Sequence, residues 1–326
     1  MKLKFLLLTA IGAFLLDGSP LDAQQALVLE SKIQLGNIRG RLDHMAVDLV
    51  RHRLFVAQLE NDSVGVIDFE TLEIVHVITD VKGPQGLGYA RSSDTLFVAN
   101  GGDGSLRMFE GAQYRAVDRI DLAGGADNVR YDPESNHVLV SYGSGALAII
   151  DATSRKKIGD IALTAQAESF QLDRRSNRIY VNSPKEDAVV VLDRVTGERI
   201  ATWQLGNWSN FPLAFADATN HVLVVFRNPA KLLVLDASNG ARVASVETCG
   251  DADDIFVDAK RSRVYVSCGE GFVDVFDRKR HDLVARFATA KGARTSLFVP
   301  EIDRLFIAAR ATPEAPAAVW VVRPEP

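Results

Sequence analysis

Seven dipeptides return through the chain at matched intervals: Asp43-His44, Gln85-Gly86, Asp127-Asn128, Glu168-Ser169, Phe211-Pro212, Asp253-Asp254 and Arg294-Thr295, each 41 to 43 residues after the last. Together they carry five carboxylates, an imidazole, two side-chain amides and one guanidinium. Brought to a common axis, such a set can hold a small polar molecule, or a divalent cation (Ca, Mg, Mn or Zn) through oxygen ligands. Arg130 and Gln171 follow one pleat deeper. The candidate ligand-binding residues are therefore Asp43, Gln85, Asp127, Asn128, Arg130, Glu168, Gln171, Asp253, Asp254 and Arg294, with Glu168, Asn128 and Asp254 as the candidate cation ligands. Those three fit capping of backbone amides at loop-to-strand corners equally well. Asp253 and Asp254, with Asp251 nearby, repel one another unless a positive group sits among them. Arg294 is the candidate partner by bidentate pairing, or else a clamp for a substrate carboxylate or phosphate. His44 suits a general acid/base or a metal ligand. It equally suits a hydrogen bond to a neighbouring carboxylate that ties adjacent repeats together.

The elements that must position these residues follow from the same period. Arg53-Leu54-Phe55-Val56, Thr95-Leu96-Phe97-Val98, His137-Val138-Leu139-Val140, Arg178-Ile179-Tyr180-Val181, His221-Val222-Leu223-Val224, Arg263-Val264-Tyr265-Val266 and Arg304-Leu305-Phe306-Ile307 each read as a polar turn feeding a strand. Several short strands per unit of about 42 residues predict an all-β chain, a seven-bladed β-propeller with four antiparallel strands per blade. In the fourth unit, strands are expected at Ser169–Asp173, 179–181, 189–192 and 199–205, the third ending in Asp193-Arg194-Val195-Thr196-Gly197, an Asx-type turn. The aspartate at that place recurs as Asp68, Asp151, Asp193, Asp236 and Asp277, with Glu110 in the second unit, which favours turn capping over catalysis. The seventh unit lacks a fourth strand, and residues 27–35 supply one that closes the ring and covers its edges. Strand direction alternates, so the loops entering each blade share a face with the loops between its second and third strands. His44 alone among the six histidines falls at the channel mouth of that face. Tyr142, Phe211 and Phe226, with Trp208 close by, are its candidate aromatics, for which packing between blades is favoured over flanking a ligand.

Residues 1–23 combine a basic start with an apolar run of twelve, Phe5 to Leu16, and predict a signal peptide cut after Ala23. Residues 24–326 then form one propeller domain, periplasmic or secreted, with no membrane span left after processing. A net charge of −5 disfavours nucleic acid as partner. Cys249 and Cys268 fall on the ligand face of one blade, where a disulfide, two free thiols or metal or haem ligation are all open. No Cys-x-x-Cys-His haem sequence, His-Glu-x-x-His motif or nucleophile elbow occurs. Asn100-Gly101-Gly102-Asp103-Gly104 is a hairpin turn rather than a phosphate loop, since no helix follows it.

The stretch Arg178-Ile179-Tyr180-Val181-Asn182, then Val189-Val190-Val191-Leu192-Asp193 and Thr196-Gly197, resembles the YVTN repeat of the secreted seven-bladed propellers called YncE-like. The likeness covers essentially the whole processed chain, and the second blade departs from it conservatively at Met108-Phe109-Glu110. It implies the fold and an exported protein, but no single activity: related propellers serve as binders, lyases, lactonases and holders of redox cofactors. Lactonases of the gluconolactonase type use a Glu/Asn/Asp set comparable to Glu168, Asn128 and Asp254, with a different blade number and different flanking motifs. The leading expectation is an exported protein that binds a small polar ligand in the top-face funnel, with a divalent cation as a candidate bridge. The alternatives are a metal-dependent hydrolase, lactonase or lyase using His44 in the same funnel, and a scaffold for a protein partner with no small-molecule site.

Overall fold

The computed structural model describes residues 26–206 and 209–326. The expected signal peptide and Trp208 lie outside the described residues. The described strands form seven four-stranded antiparallel sheets, six of them built from consecutive strands. Blade 4 is representative: Ser169–Asp173, Arg178–Ser183, Ala188–Asp193 and Arg199–Gln204 run from the axis outward. The seventh sheet combines Thr295–Val299, Arg304–Ala309 and Ala318–Pro324 with Leu27–Gln34 from the other end of the chain, paired Leu27 to Pro324 through Gln34 to Ala318. That pairing gives the terminal strand a partner for its main-chain groups instead of leaving it as a template for association.

Middle strands are apolar on both sides because each blade is stacked between two others. Tyr180 of blade 4 packs with Val222, Val224 and Leu233 of blade 5, and Phe306 of blade 7 with Leu54 and Val56 of blade 1. Each fully buried side chain of this size contributes roughly 1.5–3 kcal/mol. Phe306→Ala would cost about 3–5 kcal/mol, since the blades on either side cannot collapse into the gap. Outer strands are half solvated, as in Glu73–Ile78, where only Ile78 is buried. In blades 1 to 6 the outer pairing slips by one residue at one place, between Val66 and Ile67 in blade 1 and Val191 and Leu192 in blade 4. The bulge sharpens the twist of the outermost strand.

The recurrent aspartates are turn caps. Asp193 Oδ1 accepts the N–H groups of Val195 and Thr196, both at 2.8 Å, and Asp68, Asp151, Asp236 and Asp277 do the same for their own turns. Glu110, at the corresponding place in blade 2, pairs instead with Arg115 and Arg155. The run Asn100–Gly104 is the hairpin between Thr95–Asn100 and Ser105–Glu110, with Gly104 at φ +67°.

Candidate functional site

The inner strands start at the top face, so the residues entering them ring the axis. A cavity of about 570 Å³ runs down this axis, and His44, Asn128, Arg130, Glu168, Gln171, Asp253 and Asp254 all line it. Four of the expected residues stand outside its wall. Asp43 is 1% exposed and ion-paired to Arg41 at 2.9 Å. Arg294 lies over blade 6, bound to its carboxylates. Asp127 sits beside the cavity within the field of Asp43, Glu168 and Asp253. Gln85 turns back onto its own blade, its side-chain oxygen occupying the space that a Cβ on Gly101 would need. Parity places Gln85 on the right face, but the glycine beside it leaves a nearer berth.

Several lining residues also lace neighbouring blades. Asn128 Nδ2 donates to the Glu168 carbonyl at 2.8 Å, and Gln171 Nε2 to the Leu213 carbonyl at 3.1 Å. Asp254 Oδ2 accepts the Ser296 N–H at 2.8 Å. These bonds join blade 3 to 4, 4 to 5 and 6 to 7, satisfying backbone groups that the loop-to-strand corners would leave open. The remaining atoms, Asn128 Oδ1 and Asp254 Oδ1, are left for the cavity.

The rim is an ion-pair network. Arg294 places Nη1 2.9 and 3.0 Å from the two oxygens of Asp251 and Nε 3.0 Å from Asp253 Oδ2. Arg227 joins from blade 5: it pairs with Asp253, donates to the Ala252 carbonyl at 2.8 Å and lies 3.7 Å over the Phe211 ring. Thus the three acidic residues of blade 6 are accompanied by two guanidiniums. Phe226 takes the packing role between blades that the sequence favoured for it, fully buried, while Arg227 after it reaches the rim. Sequence reading missed Arg227 and Arg41. The signal for both was local: a basic residue two before Asp43, and one at the last position of a second strand.

Deeper, His44 Nδ1 stands 3.9 Å from Asp254 Oδ1, and its Nε2 3.9 Å from Asp43 Oδ1. Neither is a hydrogen bond. Burial, reinforced by Arg130, lowers the His44 pKa to about 4, so the ring is neutral near pH 7. Burial raises Asp43 to about 7, with Arg41 opposing and Asp253 adding. Burial likewise drives Asp127 and Asp254 well above the usual carboxylate range and raises Glu168. Among the described residues, no three His, Cys, Asp or Glu side chains are grouped so as to hold a metal ion. Glu168, Asn128 and Asp254 share the cavity wall, with the Asn128 amide nitrogen and Asp254 Oδ2 already engaged.

Cys249 and Cys268 are joined, with Cα atoms 5.8 Å apart. The Cys249 N–H donates to Asp274 Oδ2, and Arg286 holds the same carboxylate by both oxygens. The bridge anchors the loop that carries Asp251, Asp253 and Asp254 into the rim. Tyr142 points away from the axis, donating to Asp160 Oδ1 at 2.9 Å.

No protein-family model and no curated protein sequence matches the chain. Among solved structures, it is similar to Kuenenia stuttgartiensis hydrazine synthase, with a TM-score of 0.73 and 14% identity over 85% of this chain and 96% of that one. At that identity the likeness shows the fold alone. The ring is a seven-bladed β-propeller, an architecture used for binding and for scaffolding.

Proposed function

We propose that this propeller is an exported protein of the YVTN-repeat, YncE-like type, binding a small polar ligand in the funnel at its top face. One observation carries the reading: a cavity of about 570 Å³, within the usual range for ligand pockets, is lined by polar groups whose hydrogen-bonding capacity is only partly used. The Cys249–Cys268 bridge and the basic, then apolar, start of the sequence support an oxidising compartment. Direct contact with side chains is favoured over a cation bridge, because among the described residues no three His, Cys, Asp or Glu side chains are grouped to hold an ion, and Asp254 Oδ2 is taken by the Ser296 N–H. Binding is also favoured over catalysis. A histidine depressed to about 4 is a weak base near neutral pH, and neither a nucleophile elbow nor a His-Glu-x-x-His motif occurs in the sequence.

The test is thermal melting of the purified, chelator-treated protein with calcium, magnesium, manganese or zinc, and with sugars, organic acids, amines and amino acids. A ligand of the native state stabilises by mass action, about 2.7 kcal/mol at a hundredfold excess over Kd. The expected result is a concentration-dependent rise for one of these classes that His44→Ala and Asp254→Ala abolish. No rise with any compound would sink the reading and leave a scaffold for a protein partner. A rise with an ion alone would restore the cation site.

A further inference from the structure

At the rim most charges are matched, Arg41 with Asp43, Arg294 with Asp251 and Asp253, Arg227 with Asp253, while Asp127 forms no ion pair among the described residues. Inside the cavity the matching stops. Arg130 forms no ion pair among the described residues; it donates one N–H to the Val129 carbonyl at 2.9 Å and leans on the Phe170 ring at 5.7 Å. Its side chain lines the chamber. The Glu168 carboxylate has no hydrogen-bond or ion-pair partner among the described residues. Asp254, only 8% exposed, uses Oδ2 on the Ser296 N–H and turns Oδ1 inward with no hydrogen-bond partner. Asn128, 2% exposed, likewise keeps Oδ1 unpartnered. All four line one wall-to-wall cavity.

Compensation among these groups is only partial. Arg130 on the inner strand of blade 3 and Asp254 on that of blade 6 feel one another's charge, but no ion pair joins them among the described residues. Without an occupant, burial raises Glu168 and Asp254 towards their neutral forms, and an occupant that supplies both complements favours the ionised ones. A purely anionic or purely cationic ligand answers only half of the set.

We propose that the chamber takes a small zwitterion of the α-amino acid class, its carboxylate on the Arg130 fork and its ammonium group between Glu168 and Asp254. Planar bidentate pairing suits a carboxylate to a guanidinium. Further along the inner strands the wall offers Val47, Phe256 and Leu297 beside Tyr89, Tyr131, Gln171 and Arg174, and there it receives the ligand's side chain. This rests on the funnel being a small-molecule site.

The test begins with melting of the chelator-treated protein in the presence of each standard α-amino acid. The amino acid that shifts the midpoint most is then compared by calorimetry with its decarboxylated amine and its deaminated acid. Each analogue loses one charge-assisted contact and binds roughly ten- to a hundredfold more weakly. Arg130→Gln lowers affinity for the amino acid to that of the amine and leaves the amine's affinity unchanged. Glu168→Gln weakens the amino acid and the amine and spares the deaminated acid. Melting of each variant without ligand shows that it is folded. Equal binding of amino acid and amine, or no shift with any amino acid, overturns the proposal. If sugars, organic acids or a divalent cation still shift the midpoint in an Asp254-dependent way, the funnel reading stands while the zwitterion falls. If nothing shifts it, both fall.

Discussion

Arg294 and Asp253 bind blade 7 to blade 6 across the rim, with Nε 3.0 Å from Oδ2. Two residues of a repeat-related pair thus meet as opposite charges, one blade supplying the carboxylate and the next the guanidinium. Both are partly shielded, so the pair falls between the exposed and buried limits for salt bridges. Arg294→Gln is expected to destabilise the protein by about 1–2 kcal/mol, because Arg227 continues to neutralise Asp253. Combined with Asp253→Asn in a denaturant-based double-mutant cycle, the losses should be clearly sub-additive. Additive losses would mean that the two residues act separately.

Asp43 predicts a pH dependence. Its folded pKa is about 7, against an ordinary value near 3.8. Between those values the folded protein keeps a proton that the unfolded chain has released, so this group's contribution to stability falls as pH rises from about 4 to 7 and then levels off. The upper bound on that loss is on the order of 4 kcal/mol. His44, lowered from 6.5 to about 4, acts with the opposite sign across that interval. Asp43→Asn should melt higher relative to wild type at pH above 7 than at pH 4. A constant difference across the range would remove Asp43 as the titrating group.

The disulfide spans 19 residues, a loop for which chain entropy gives about 3 kcal/mol. Replacing Cys249 and Cys268 together by serine is expected to lower stability by that order, and a reducing agent should depress the melting midpoint of wild type but not of the double variant. Ligand binding should weaken in parallel, because Asp251 lies two residues beyond Cys249. Unchanged midpoints under reduction, with both thiols titratable, would show that the bridge carries no stability.

Asp193→Ala separates capping from chemistry. It removes the acceptor of two backbone N–H groups in an exposed turn and should cost about 1 kcal/mol in urea unfolding, with affinity at the funnel untouched. A loss of ligand binding without loss of stability would contradict the capping role shared by the recurrent aspartates.

Strand order and ring closure were legible because they depend on period and alternation, which survive in a single sequence. Leu27–Gln34 could be assigned to blade 7 simply because blade 7 lacked a strand. The face of each candidate was legible too, since parity decides it, and seven of the eleven candidates named for the site line the cavity. Parity does not choose a rotamer or a neighbour. Gln85 shared the face with Glu168 but folded against Gly101, because a glycine offers space that periodicity does not record. Arg227 was hidden by Phe226, the more conspicuous residue, which the stacked blades drew into the core. The pairing of Arg41 with Asp43 depends on the path of an entry loop, and no repeat constrains that path.

The seam between Leu27–Gln34 and Ala318–Pro324 also governs the order of folding. Six blades consist of strands adjacent in sequence and can form as local hairpins at small entropic cost. The seventh needs segments separated by nearly the whole chain, and such distant contacts are rewarded only after the intervening loop has been closed. Closure is therefore a late event. Until it happens the chain is an open arc with a bare edge at each end, so the span between blade formation and seam formation is when this protein is most exposed to misassembly with its own copies.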